Sequence, residues 1–224
     1  MSDTPNRPKT LVLGRTGVQL NYFISRGSDL EIGDADVAVA TPVPVRNAII
    51  DLISGSGLTS SKVLGDYGIQ YLFLKNPVDQ SVVRTVDGIG GFTRSSVTSS
   101  GIIWQVVGSK ARISILDASG AVTPINSTKV GAVADLQTPG TITLAEKFDT
   151  GWHLLVNGNQ VKLSQSQAGL PIFEVTETGP MTLLHDGTKH RALISIQLIA
   201  LLVVIVLSLP AGRRRREVPV EELA

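Results

Sequence analysis

The run Ala192–Ala211, ALISIQLIALLVVIVLSLPA, is twenty residues long and carries no charge. At about 1.5 Å per residue it spans about 30 Å, the hydrocarbon thickness of a bilayer. Only Ser195, Gln197 and Ser208 are polar, so the polar stripe of a helix packed on a soluble core is missing. The run predicts a transmembrane helix over residues 191–212, with Leu193, Ile196, Leu201, Val204 and Leu207 as membrane-anchoring residues. The lipid bilayer is then the first expected partner. Gly212 ends the run, and Arg213, Arg214, Arg215 and Arg216 follow. Cations placed directly after a span are better read through the positive-inside rule than as a nuclear-targeting or nucleic-acid patch. The other flank carries only Lys189 and Arg191. The bias is that of a single-pass cell-membrane protein, with residues 1–190 extracytoplasmic and the basic tail 213–224 cytoplasmic.

That topology needs a means of export. Met1–Thr10, MSDTPNRPKT, has no apolar core of a signal peptide. The expectation is a detached C-terminal portion of a longer multi-span protein. A tail-anchored chain with a cytoplasmic bulk is the other solution, and it would put the four arginines on the wrong side of the membrane.

Composition removes several classes. Hydrophobic residues make up 42% of the 224 and charged residues 17%, which excludes a disordered chain. The formal net charge of +1 leaves no electrostatic footprint for nucleic acid. With no cysteine, disulfides, thiolate zinc sites and cysteine nucleophiles are excluded.

Residues 1–108 read as a small α/β module. Thr10–Leu13 and Val18–Ser25 are strand candidates around a turn between Gly14 and Gly17. Val45, Ala48, Ile49, Leu52 and Ile53 fall on one helical face after Pro42 and Pro44, with Gly55 as a stop. A short helix from Ser60 or Ser61 to Asp66 precedes Gly68. Ile69–Leu74 is nearly continuous apolar, as in a strand covered on both faces. Asp79 predicts an N-cap for a helix closed by Gly88, and Phe92–Val97 with Ile102–Val107 predict a hairpin.

From Ser109 the helical periods stop and short strands recur between turn signals. The candidates are Ala111–Leu116, Ala121–Ile125, Gly140–Leu144, Trp152–Val156, Gln160–Leu163, Ile172–Val175 and Met181–Leu184. Ser119–Gly120 and Asn157–Gly158 are hairpin-type turns. The expected fold class is therefore α+β: an α/β module, a β-sandwich module over 109–190, and one C-terminal transmembrane helix.

Chemistry-bearing motifs are few. Asp34-Ala35-Asp36 is a D-x-D, two carboxylates able to converge on one hard cation. It is a weak metal candidate, since chance supplies such a spacing in a chain of this acid content, and a loop after the second strand is the plain alternative. Ser54-Gly55-Ser56-Gly57 lacks the G-K-[ST] ending of a phosphate loop and reads as a helix stop. His153, His185 and His190 have no partner at helical ligand spacing. There is no nucleophile elbow and no zincin motif. No catalytic residue and no cofactor is assigned. Trp152 can stack on a sugar face, although strand alternation would equally bury it between sheets.

The stretch Val63–Val107 contains VLGDYGIQYLFLKNPVD and VVRTVDGIGGFTRSSVTSSGIIWQVV. It resembles the extracytoplasmic C-terminal region of actinobacterial membrane glycosyltransferases, of the family 2 or multi-span envelope sugar transferase type. Arg7–Leu13 fits the lead-in to that region. Gly151-Trp152, Val156-Asn157-Gly158 and Val161 are similar to a G-W-x-x-x-V-N-G-x-x-V sandwich module at the end of envelope-sugar membrane proteins. The resemblance implies a part of a polysaccharide-biosynthesis enzyme rather than a whole one. That part binds or positions a cell-envelope glycan, or the multi-span transferase core, and is not catalytic alone. The alternatives are a metal-dependent glycosyltransferase using Asp34 and Asp36, and a structural subunit of a membrane complex.

Overall fold

The computed structural model describes residues 8–17, 19–27, 37 and 40–208, with backbone only at 189–191. These residues divide into two compact units, one ending at Asp186 and the other beginning at Gly187.

The first unit opens with β1 (Lys9–Thr16) and β2 (Gln19–Ser25), an antiparallel pair. α1 (Val43–Ser54) follows. Pro44 stands in its first turn, where a missing N–H costs nothing. Val45, Ala48, Ile49 and Leu52 lie on its buried face, and Gly55 stops it at φ 82°. α2 (Ser60–Asp66) leads through Gly68 at φ 72° into β3 (Ile69–Lys75), which runs parallel to β1. α3 (Gln80–Gly88) is capped by Asp79, whose carboxylate accepts from the Ser81 N–H at 2.9 Å. The hairpin β4 (Phe92–Thr98) and β5 (Gly101–Val106) completes a five-stranded sheet of order β2-β1-β3-β5-β4.

One face of this sheet carries Leu11, Leu13, Leu72, Leu74 and Trp104, all at most 1% exposed. They share a core with Ile49, Leu52, Leu64 and Val86 of the three helices.

The remaining strands form two sheets. One, of order β12-β13-β9-β6-β7, is built from β6 (Ile113–Asp117), β7 (Val122–Pro124), β9 (Gly140–Leu144), β12 (Leu163–Gln165) and β13 (Pro171–Val175). The other, of order β11-β10-β14-β8, is built from β8 (Gly131–Leu136), β10 (Trp152–Val156), β11 (Asn159–Val161) and β14 (Gly179–His185). Ile142, Leu144 and Phe173 of the first meet Trp152, Leu154 and Met181 of the second in one buried cluster, so the two sheets pack face to face. The turn between β10 and β11 has Asn157 at φ 51° and Gly158 at φ 81°, the pair of left-handed residues that a tight hairpin needs.

The two cores are joined inside this unit. Leu170, before β13, packs into the helix-covered core. The Tyr67 hydroxyl donates to the Ala168 carbonyl at 3.0 Å, and Lys110 Nζ meets Asp66 Oδ1 at 2.7 Å.

This architecture corrects the expected fold class. The chain is mostly β, with fourteen strands in three sheets against four helices among the described residues. The expected transmembrane helix is not shown by the described residues. Among the described residues no helix is long and apolar enough to cross a membrane. The apolar run lies in α4 (Thr188–Ser208), which opens on the polar turn Thr188–Arg191. The apolar remainder, Ala192–Ser208, amounts to roughly 25 Å, short of the roughly 30 Å of a hydrocarbon core. Residues 209–211, the rest of the apolar run, lie outside the described residues. Leu193, Ile196, Leu201, Val204 and Leu207 are exposed along α4, and Arg213, Arg214, Arg215 and Arg216 lie outside the described residues.

Burial predicts the cost of substitutions. Phe173, fully buried in the facing-sheet core, should lose about 3–5 kcal/mol as Phe173→Ala. Val133→Thr, at a side chain 78% exposed on β8, should stay within about 0.5 kcal/mol of wild type. Urea unfolding of both variants checks the pair.

Candidate functional site

The Glu146 carboxylate, 4% exposed, is the centre of a buried polar cluster. Its place follows from the ladder before it. β9 ends at Leu144, and the Ala145 N–H donates to the Arg112 carbonyl at 2.8 Å, holding this segment beside the start of β6. Arg112 Nε then stands 2.9 Å from Glu146 Oε1. Lys9 Nζ, at the start of β1, and Arg26 Nη1, just after β2, each lie 3.0 Å from Oε2.

The cations are held in turn by backbone carbonyls. Lys9 Nζ donates to Tyr67 O at 3.2 Å and to Ala145 O. Arg26 Nη2 donates to Lys129 O at 3.1 Å, and Arg112 Nη1 donates to Thr128 O. One carboxylate thus joins the ends of two strands of the helix-covered sheet to the strand entry of the facing sheets.

Burial sets the electrostatics. It lowers Lys9, which Glu146 pulls back up and Arg26 and Arg112 push down, to about 8 from an ordinary 10.5. For Glu146 burial acts upward, but Lys9, Arg112 and Arg26 together overcome it and bring the carboxyl to about 2. Glu146 is therefore ionised near neutral pH. Burial also raises the Tyr67 phenol, with Asp66 adding to the effect.

A cavity of about 230 Å³ opens against this cluster. Lys9, Arg26, Glu146 and Lys147 supply its polar side. Tyr22, Phe23 and Ile24 of β2 line it together with Tyr67 and Ile69. The approach to α1, at Thr41 and Pro42, closes the end. The volume is below the 300–1,000 Å³ common for drug-sized ligands, so the site suits one small unit. Its lining combines aromatic residues with charged ones. A carboxylate offers about four acceptor positions; Lys9 and Arg26 take two at Glu146 Oε2, and the Arg112 guanidinium forms an ion pair at Oε1.

The residues singled out in the sequence lie elsewhere. Trp152 is 3% exposed and meets the His185 ring edge-on at 4.8 Å, so its face is not presented to solvent. Asp34 and Asp36 lie outside the described residues. Among the described residues no group of three or more His, Asp or Glu side chains is placed to hold a metal ion. Glu146, Lys9, Arg26, Tyr22 and Phe23 were not singled out. Arg26 and Glu146 are 120 positions apart, and no spacing rule reaches that far. The one local signal is a charge at the edge of a buried run: Lys9 before Thr10–Leu13, and Glu146 after Ile142–Ala145.

Two predictions follow from the cluster. Glu146→Gln leaves buried cations without their shared carboxylate and should cost about 3–5 kcal/mol in urea unfolding. The Lys9 proton gives a pH signature. Between pH 8 and 10.5 the unfolded chain holds this proton and the folded chain does not, so stability rises with pH across that window. Lys9→Met should flatten the rise. The Glu146 contribution runs the other way on the acid side, being complete above 4.5 and lost as pH falls toward 2.

No protein-family model, no curated protein and no solved structure matches the chain, and its chemistry is read from the residues above.

Proposed function

We propose that the chain is an extracytoplasmic accessory portion of an envelope glycosyltransferase, and that it binds a sugar unit of a glycan in the cavity beside Glu146. The observation that carries this reading is the pairing of Tyr22 and Phe23 with Lys9, Arg26, Glu146 and Lys147 around one small volume. A pyranose ring has an apolar C–H face and a rim of hydroxyls, each both donor and acceptor. An aromatic wall suits the first, and an ionised carboxylate beside ammonium and guanidinium groups suits the second. The resemblance of Val63–Val107 and Gly151–Val161 to envelope glycosyltransferase regions supports the same ligand class.

Binding fits the site better than catalysis. A carboxyl held at about 2 is a weak base and cannot serve as a general acid near neutrality. Glycoside chemistry ordinarily needs two carboxyl groups in different protonation states. Glu146 is the one carboxylate among the described lining residues.

A single sugar of about twelve heavy atoms, at roughly 0.3 kcal/mol per atom, binds with a Kd on the order of millimolar. Saturation-transfer NMR of the full chain with glucose, galactose, mannose, arabinose and rhamnose should detect at least one at that strength. Phe23→Ala, at a side chain 56% exposed, should weaken it about tenfold without unfolding the protein. The reading is wrong if none of the five sugars transfers saturation at 50 mM, or if Phe23→Ala binds as wild type does.

A further inference from the structure

The helix-covered sheet has a second face, and its side chains form ordered cross-strand rows. Register pairs Phe23 of β2 with Val12 of β1, Val12 with Phe73 of β3, and Phe73 with Ile103 of β5. The helices cover the alternate positions, where Leu11, Leu72 and Trp104 are fully buried. On the second face Phe23 is 56% exposed, Phe73 and Ile103 are half-buried, and Val12 between Phe23 and Phe73 is buried. Tyr71, two residues before Phe73 on the same face, pairs with Gln105, which pairs with Thr93 of β4.

The Phe73 ring lies over Gly101. A Cβ there would come 2.8 Å from Phe73 Cε2 and 2.0 Å from the Leu74 carbonyl. The ring thus rests on bare backbone.

We infer that a neutral oligosaccharide, its end unit in the cavity, runs over this face with successive rings against Phe23, Phe73 and Tyr71. The inference rests on the sugar-binding reading of the cavity and extends it from one unit to a chain.

Three observations select this occupant. Phe23 belongs both to the cavity lining and to the exposed row, so the two adjoin at this residue. The aromatic spacing suits a chain of rings: Phe23 and Phe73 are two strands apart, about 10 Å, and Tyr71 is about 7 Å from Phe73 along β3. That is on the order of one to two sugar units. The groups between the rings are neutral hydrogen-bonding ones, Gln105 and Thr93 among them, and Lys75 is the single charge in the β3 row. A polynucleotide would need several cations for its phosphates. A stable protein interface needs about 800 Å² of contact per partner with a desolvated apolar centre, whereas here a single apolar row is flanked by Thr10, Gln105 and Thr93.

The test is the dependence of affinity on chain length. The full chain is titrated by calorimetry and NMR with malto-, manno- and arabino-oligosaccharides of one to six units. Affinity should rise at least tenfold between one unit and four in one of the series. Phe73→Ala and Tyr71→Ala should each remove most of that gain while leaving monosaccharide affinity unchanged. Gln105→Trp, adding bulk in the path at an exposed position, should weaken the longer ligands alone.

An affinity that stays flat with length, with the monosaccharide still bound, overturns the chain inference and leaves the cavity reading standing. Failure of every sugar, the monosaccharides included, removes both. Equal loss of short and long ligands in all three variants also overturns the inference. So does self-association in sedimentation that Phe73→Ala abolishes, which would assign the face to a second copy of the chain.

Discussion

A carboxylate shared by three buried cations is a costly arrangement, and the first unit is assembled around it. Lys9, Arg26 and Arg112 each surrender hydration to reach Glu146. The exchange is favourable only while all the partners keep their geometry. That requirement couples parts that secondary structure alone would leave independent. β1 must start where the Lys9 ammonium reaches Glu146, β2 must deliver Arg26, and the segment before β6 must run beside the end of β9. The Ala145 N–H to Arg112 carbonyl bond and the Lys9 N–H to Gly68 carbonyl bond at 3.1 Å supply that alignment. Tyr67 and Leu170 reinforce the same seam through a hydrogen bond and an apolar contact.

The cavity owes its character to this seam. Its polar side is the cluster itself, rigid because each cation is anchored to a backbone carbonyl as well as to Glu146. Its aromatic side comes from β2, an edge strand whose side chains have a neighbouring strand on one flank only. Charged groups and aromatic residues thus line the same small volume. The same edge strand brings Phe23 to the uncovered face of the sheet, which is how a pocket and an open surface come to share a residue.

Local signals marked much of the element order. The i, i+3, i+4, i+7 spacing of Val45, Ala48, Ile49 and Leu52 is the buried face of α1, and Asp79 is the cap of α3. The apolar run Ile69–Leu74 is β3, although only one of its faces is helix-covered, so Tyr71 and Phe73 stay half-exposed. β8 gave no signal, because Gly131–Leu136 contains two alanines and an aspartate and lies at a sheet edge. The segment Gln160–Leu163 reads as one strand but divides between β11 and β12, which belong to different sheets. For the C-terminal run, apolar composition was read together with an assumed length. The described part of α4 spends its first turn on polar residues.

Sequence alone determined where the chain turns, which faces of its helices are apolar, and where strands recur. Those properties depend on neighbours within a few residues, through backbone hydrogen bonds and side-chain periodicity. It also excluded cysteine chemistry outright. The tertiary structure decided which charges are buried together, which aromatic residues are accessible, and that Trp152 is a core residue while Phe23 is not. Lys9 and Glu146, 137 positions apart in the chain, come within 3.0 Å only because the fold brings their strands together. Burial and long-range proximity are properties of the folded packing, and a one-dimensional pattern does not contain them.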